Sequence, residues 1–210
     1  TARERSKKIS HEHKITLLNR AAENLGQSAL LLSGGASMGF FHLGVVKSLL
    51  DHDALPDVIC GASIGSLIAG GICSRNDAEL AALFGDLETV YRLGIRLLRP
   101  TAIWGQRAVL DQRQLARCAR ENMGAISFAE ASRHSGRQLC ISVSPARARQ
   151  KPRVLSPKTS PDVLIDSAAT ASCAIPGLFP PVQLMSRHGP YLPQESWVDG
   201  TFQGDLPMKR

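Results

Sequence analysis

Two short apolar runs, each cut off by a glycine-bearing turn and each followed by an apolar segment of helix length, constrain this chain more than any other feature. The first is Ser28–Ser33 (SALLLS), stopped by Gly34-Gly35 and followed over Met38–Leu50 by MGFFHLGVVKSLL, with Phe40, Leu43, Val46 and Leu50 on one face. The second is Asp57–Gly61 (DVICG), entered through a turn at Pro56 and followed by a helix over Ile64–Ser74. Runs this short and uniformly apolar read as strands buried on both faces. Strand–turn–helix units in succession require a parallel sheet with crossover helices, so the fold class is α/β. At 210 residues the chain is long enough for one core, and 43% hydrophobic with 20% charged residues excludes disorder.

The remaining elements are read more coarsely. Ile15–Leu25 has helical spacing and ends at Gly26, a leader helix outside the core, so 1–26 is a leader and 27–210 a single domain. Helices are expected over Asp77–Leu87, from an Asp111 cap to Glu121, and from the Ser127/Glu130 capping box to Gly136. Gln138–Ser144 reads as a strand. Pro145–Pro161 is a basic, proline-rich surface excursion with a short strand at Val154–Leu155. Ser160-Pro161 opens a helix to Ser172, and Trp197–Asp199 is a last strand ending at Gly200.

Charge and cysteine usage narrow the partners. The formal charge is +7, which suits an anionic partner. With aromatic residues at 5% and no stacking platform, a phospholipid surface is favoured over nucleic acid. Five Cys, spread singly from Cys60 to Cys173 without a CxxC pair, argue against a disulfide framework or a Cys-based zinc site, and favour a reducing compartment. The longest uncharged stretch, Val58–Ser74, has 17 residues, four of them Gly and three Ser, short of a membrane span of about 20. No signal-peptide pattern is visible, and a soluble, cytoplasmic protein is expected.

The sharpest chemical signal is Gly61-Ala62-Ser63-Ile64-Gly65. A nucleophilic serine needs its hydroxyl exposed on a tight strand-to-helix turn with small neighbours, and Ser63 has both flanks. The helix behind it adds N–H groups and a positive dipole end. Gly35-Ala36-Ser37-Met38-Gly39 has the same G-x-S-x-G form, also between strand and helix. Its preceding Gly34-Gly35 suits a backbone that turns several N–H groups toward one anion, and it lacks the Lys of a phosphate-binding P-loop. The first turn then donates hydrogen bonds and the second carries the nucleophile. The acid or base partner stays open among three candidates. Asp199, at the end of a strand in Trp197-Val198-Asp199-Gly200, stands where α/β active-site groups gather. Asp205 lies in a second Gly-Asp turn. Asp166 with His188 could complete a Ser–Asp–His triad, although His188 sits in a polar turn. Of the other histidines, His11 and His13 read as solvated and His42 as packing or supporting the glycine turn.

Taken together these residues resemble the patatin-like phospholipases, which combine a glycine-rich oxyanion loop, a G-x-S-x-G serine and an Asp-Gly aspartate in a Ser–Asp dyad without histidine. The counterparts here are Gly34-Gly35-Ala36-Ser37-Met38-Gly39, Gly61–Gly65 and Asp199-Gly200. The runs Ser33–Leu50 and Ser160–Leu178 are similar to the triacylglycerol-lipase branch, and the likeness covers about Leu30 to Pro207. It implies a three-layer α/β/α fold around a mainly parallel sheet. It further implies hydrolysis of glycerolipid or phospholipid esters by Ser63 and Asp199, with oxyanion donors on Gly34, Gly35, Ala36 and Ile64. No metal or organic cofactor is implied, and no nucleic acid; contact with the lipid is expected to be peripheral, at a membrane or lipid-droplet surface. Two departures stand out: Ala36-Ser37-Met38 replaces the usual third Gly and Arg, and Thr201 follows Gly200 where Gly or Ala is usual. The sequence ends at Arg210, where members usually continue with further sheet and helix, which leaves two readings open: a C-terminally truncated fragment, or the ordered part of a longer protein. The Arg92–Arg107 stretch is a candidate lid or headgroup contact, and Ala174–Pro181 a candidate apolar wall. A non-catalytic lipid-docking module of the same fold is the alternative from another class.

Overall fold

The computed structural model describes residues 10–24, 28–86, 112–147 and 150–202. The leader forms α1 (His11–Asn24), with the Ser10 hydroxyl accepting a hydrogen bond from the His13 amide at 3.2 Å. It starts four residues before the apolar spacing does, because the cap and not the periodicity sets the first turn. Next come β1 (Ala29–Leu32), a 3-10 turn (Ala36–Phe40), α2 (Phe41–Asp51), β2 (Val58–Gly61) and α3 (Ile64–Cys73). Then follow α4 (Asp77–Gly85), α5 (Gln112–Met123), α6 (Phe128–Ser135), β3 (Gln138–Pro145), β4 (Arg153–Leu155) and α7 (Ile165–Ser172). The last elements are β5 (Met185–Ser186), β6 (Gly189–Pro190), β7 (Trp197–Asp199) and a 3-10 turn at Gly200–Phe202.

The main sheet is mixed and its core is parallel. β1 pairs with β2 and β2 with β3 in parallel, whereas β4 and β7 both pair antiparallel with β3. Helix α3 is buried along its whole length, and its Gly70 and Gly71 lie against Met123 and Asn122 of α5 with no room for a Cβ. An apolar helix with no polar face can sit only where sheet and helices cover it from all sides. The core runs through Leu32, Val46, Ile59, Ile68, Phe128, Ile141, Ile165, Leu184 and Trp197.

Three local readings are refined. The helix expected over Met38–Leu50 begins as a 3-10 turn and becomes α-helical at Phe41. Helix α4 is capped by an Asn76–Glu79 capping box that the apolar pattern does not reveal. Ser160-Pro161 does not open a helix; α7 starts at Ile165. The reason lies in hydrogen bonding between segments. The amides of Phe128 and Ala129 bond the carbonyls of Val163 and Pro161, and the amides of Leu164 and Ile165 bond the carbonyls of Met185 and Ile126. Groups committed to neighbouring segments are lost to an i→i−4 ladder. The Ser127 capping box and the left-handed Gly136 at the end of α6 stand where the sequence places them.

Candidate active site

The sheet register brings two chain ends together. Gly61, the last residue of β2, pairs with Ile141 of β3, and Asp199, the last residue of β7, pairs with Val143. Both Ile141 and Val143 pair with β4 on their other side, through Leu155 and Arg153. Strands β2 and β7 therefore occupy the same edge of β3 and run toward each other. Their ends are separated by two residues of β3, about 7 Å. Ser63 follows one end and Asp199 terminates the other.

Ser63 holds φ 51° and ψ −128°, a left-handed conformation that costs a non-glycine residue about 1–3 kcal/mol and needs its surroundings to impose it. Those surroundings are close backbone contacts. The Ala62 amide donates to the Leu32 carbonyl at 3.0 Å, which ties the turn to the end of β1. Gly61 lies against the backbone of Gly65 and Ser66, and Gly65 against the carbonyls of Leu32 and Ser33; neither has space for a Cβ. The Ser66 hydroxyl donates to the Ser63 carbonyl at 2.6 Å. The Ser63 amide donates to the Ser172 hydroxyl at 3.0 Å, and that hydroxyl donates onward to the Ser142 carbonyl at 2.7 Å.

The end of α7 also holds Asp199. Its amide donates to the Ala174 carbonyl at 3.0 Å, and Gly200 packs so tightly on the Ser142 carbonyl that a Cβ would not fit. Oδ1 of Asp199 accepts two hydrogen bonds from Thr201, one from the amide and one from the hydroxyl, each 2.8 Å. Cys173, directly after α7, interacts with both residues: its thiol is 3.9 Å from the Ser66 hydroxyl and is influenced by the Ser63 hydroxyl and the Asp199 carboxylate. Burial, and after it the Asp199 charge, push that thiol well above its ordinary pKa, so it stays neutral. Ser63 is 8% and Asp199 1% exposed, so both side chains are withdrawn from water. The sequence does not mark Ser172 or Cys173 as site residues, and it marks Thr201 only as a departure from the usual residue after Gly200. Ser172 reaches Ser63 across 109 positions, and no local pattern announces such a partner.

The glycine turn stands level with the elbow, because Leu32 of β1 pairs with Gly61 of β2. Gly34 and Gly35 follow β1, and Ser37 lies within the 3-10 turn that the Met38 amide closes onto the Gly35 carbonyl at 3.0 Å. A Cβ on Gly39 would meet side-chain carbons of Ile64 at 2.5 Å, so the turn is seated on the first residue of α3. His42 Nε2 donates to the Ser33 carbonyl at 3.0 Å in the tautomer protonated there, supporting the turn from α2. Ala36 has φ 47°, the conformation that a glycine in its place would adopt without strain. Ala36→Gly is expected to leave the fold unchanged and to raise stability by up to about 1 kcal/mol, strain relief less the added chain entropy, read as a small rise in Tm.

The histidine candidates lie elsewhere. The His188 side chain is 81% exposed in the β5–β6 turn, 4.0 Å from Asp162. Asp166 is buried in the first turn of α7 and held by Arg120 Nε at 2.6 Å. The residues at the far end of that helix, not Asp166, contact Ser63. His11 and His13 are exposed on α1, and Asp205 and Arg92–Arg107 lie outside the described residues. The segment from Ala174 to Pro181 leaves the site directly after Cys173, with Ile175 exposed and Leu178 and Phe179 half-buried. Among the described residues no group of three or more His, Cys, Asp or Glu could hold a metal ion. No helix among them is long and apolar enough to cross a membrane.

Comparison with known proteins identifies the family. Residues 30–209 match the family model described as patatin-like phospholipase. Triacylglycerol lipase SDP1L of Arabidopsis thaliana is 37% identical over 97% of this chain and 28% of its own length. Triacylglycerol lipase ptl2 of Schizosaccharomyces pombe is 36% identical over 99% of this chain and 33% of its own. The chain thus spans about a third or less of these relatives. Among solved structures, VipD from Legionella pneumophila overlaps 87% of this chain and 47% of that one at 16% identity and a TM-score of 0.46, too remote to bear on the site.

Proposed function

The chain belongs to the patatin-like phospholipase family, and from that premise we propose that it is a serine acyl hydrolase cleaving carboxylic esters of glycerolipids through Ser63 and Asp199. The observation that carries the proposal is the meeting of β2 and β7 end to end on one edge of β3, with the nucleophile and the carboxylate both withdrawn from water around Cys173. Asp199 takes the Ser63 proton as Oγ attacks the acyl carbon, and the carbonyl oxygen becomes an oxyanion. Backbone N–H groups of Gly34, Gly35, Ala36 and Ile64 receive it, each such donor being worth about 2.7–4 kcal/mol. Collapse of the tetrahedral intermediate expels the alcohol, which takes the proton back from Asp199 and leaves an acyl-Ser63 ester. Water, deprotonated by Asp199, attacks that ester and releases the fatty acid, and Ser63 recovers its proton.

Met38, Phe41 and Val45 are 68%, 78% and 50% exposed beside the glycine turn, at helical spacing. An apolar stripe at the rim of the site, on a chain of charge +7, supports peripheral contact with a lipid surface as the route by which substrate arrives. The test is hydrolysis of a p-nitrophenyl acyl ester and of phosphatidylcholine and triolein emulsions, alongside labelling with a serine-reactive phosphonate. The expected result is turnover, with the phosphonate found on the peptide bearing Ser63 and both signals absent from Ser63→Ala. Turnover that survives Ser63→Ala would sink the proposal. Lipid binding without turnover or label would identify a docking module instead.

A further inference from the structure

We propose that Thr201 is a positioning residue for the catalytic base: its amide and hydroxyl clamp Oδ1 of Asp199, so that Oδ2 is the oxygen that takes the proton from Ser63. The inference rests on the hydrolase reading above and deepens it. Two donors at 2.8 Å converge on one oxygen of a carboxylate that is 1% exposed. A carboxylate rotates about its Cβ–Cγ bond unless something fixes it, and two hydrogen bonds to the same oxygen fix both the plane and which oxygen faces which way. The opposite anchor is the Asp199 amide on the Ala174 carbonyl at 3.0 Å, so backbone and carboxylate are held from different elements. The amide of residue 201 would be present with almost any side chain. The hydroxyl is what this chain adds.

The hydroxyl also acts on the proton equilibrium. A hydrogen bond to the charged form favours that form, so Thr201 keeps Asp199 ionised to lower pH than the amide alone would. Among the described residues Cys173, directly after α7, is a titratable group that interacts with Asp199, and burial keeps it neutral; from β3 the paired residue is Val143, which carries no charge. The acidic limb of the activity profile therefore reports Asp199.

The test compares Thr201→Val, which keeps the shape and the amide but loses the hydroxyl, with Thr201→Ser, which keeps the hydroxyl. Steady-state hydrolysis of a p-nitrophenyl ester is followed from pH 4 to 9, with Tm for each protein. Thr201→Val is expected to lower kcat about tenfold with KM within about twofold, and to move the acidic limb of kcat/KM to higher pH. Thr201→Ser is expected to stay within about twofold of the parent with its limb in place. Should Thr201→Val fail to fold, Thr201→Ala takes its place with the same readouts. Equal loss in the Val and Ser variants, a Val variant matching the parent, or a loss that follows Tm with no shift of the limb would each overturn the clamp. If Ser63→Ala and Asp199→Ala remain active in the same assay, the hydrolase reading itself fails; if both are dead and Thr201→Val is normal, only the clamp fails.

Discussion

Asp199→Asn is expected to lower kcat for ester hydrolysis by about a thousandfold while Tm stays level or rises. The side chain keeps its shape, and its carbonyl oxygen can still accept from the amide and hydroxyl of Thr201, while the main chain keeps its bond to the Ala174 carbonyl. What disappears is an oxygen able to take a proton, and general-base catalysis contributes about 10²–10⁴-fold. A charge that is 1% exposed is also removed from the interior, where an ionised carboxylate is costly even when hydrogen-bonded. Activity and stability are thus expected to move in opposite directions, as they do where a site holds groups its fold would not otherwise bury. Steady-state kinetics with thermal melts reads both, and an Asn variant within tenfold of the parent would remove Asp199 from the mechanism.

Gly65→Ala is expected to have the largest effect on the fold. A Cβ at that position would fall on the Leu32 and Ser33 carbonyls, which are backbone atoms at the end of a paired strand with no room to retreat. Overpacking of this kind costs up to about 3 kcal/mol, which lowers Tm by about 6–12 °C in a domain this size. Activity is expected to fall further than stability, because the same displacement separates the elbow from the glycine turn. Gly44→Ala is the control: nothing lies within 4 Å of its added Cβ on α2, so it is expected to hold or slightly raise Tm. Equal melting of the two variants would contradict the close approach of β1 and the elbow.

How far the sequence can be read depends on how local each cause is. Both strand–turn–helix units are visible because buried parallel strands leave continuous apolar runs and the turns between strand and helix need small residues. The Ser127–Glu130 box and Gly136 are likewise signals contained within ten residues. The false helix start at Ser160-Pro161 shows the limit of such signals. A proline at the head of an apolar run suits a first helical turn, yet the amides and carbonyls there are taken by residues 126–129 and 185, which a window on the run cannot contain.

The sequence by itself determined the α/β class, the elbow at Ser63, the glycine turn beside it and the residue at which the last strand ends, because each is set by backbone requirements of consecutive residues. Only the tertiary structure decided that β7 enters antiparallel on the β2 edge of β3, and so that Asp199 and not Asp166 ends a strand facing the one that leads into Ser63. It also decided that Ser172 holds the Ser63 amide and that Thr201 donates twice to one oxygen of the Asp199 carboxylate. The reason is physical: strand order and register are chosen by packing of the whole core, and a hydrogen bond between residues 109 positions apart exists only once that packing has brought them together.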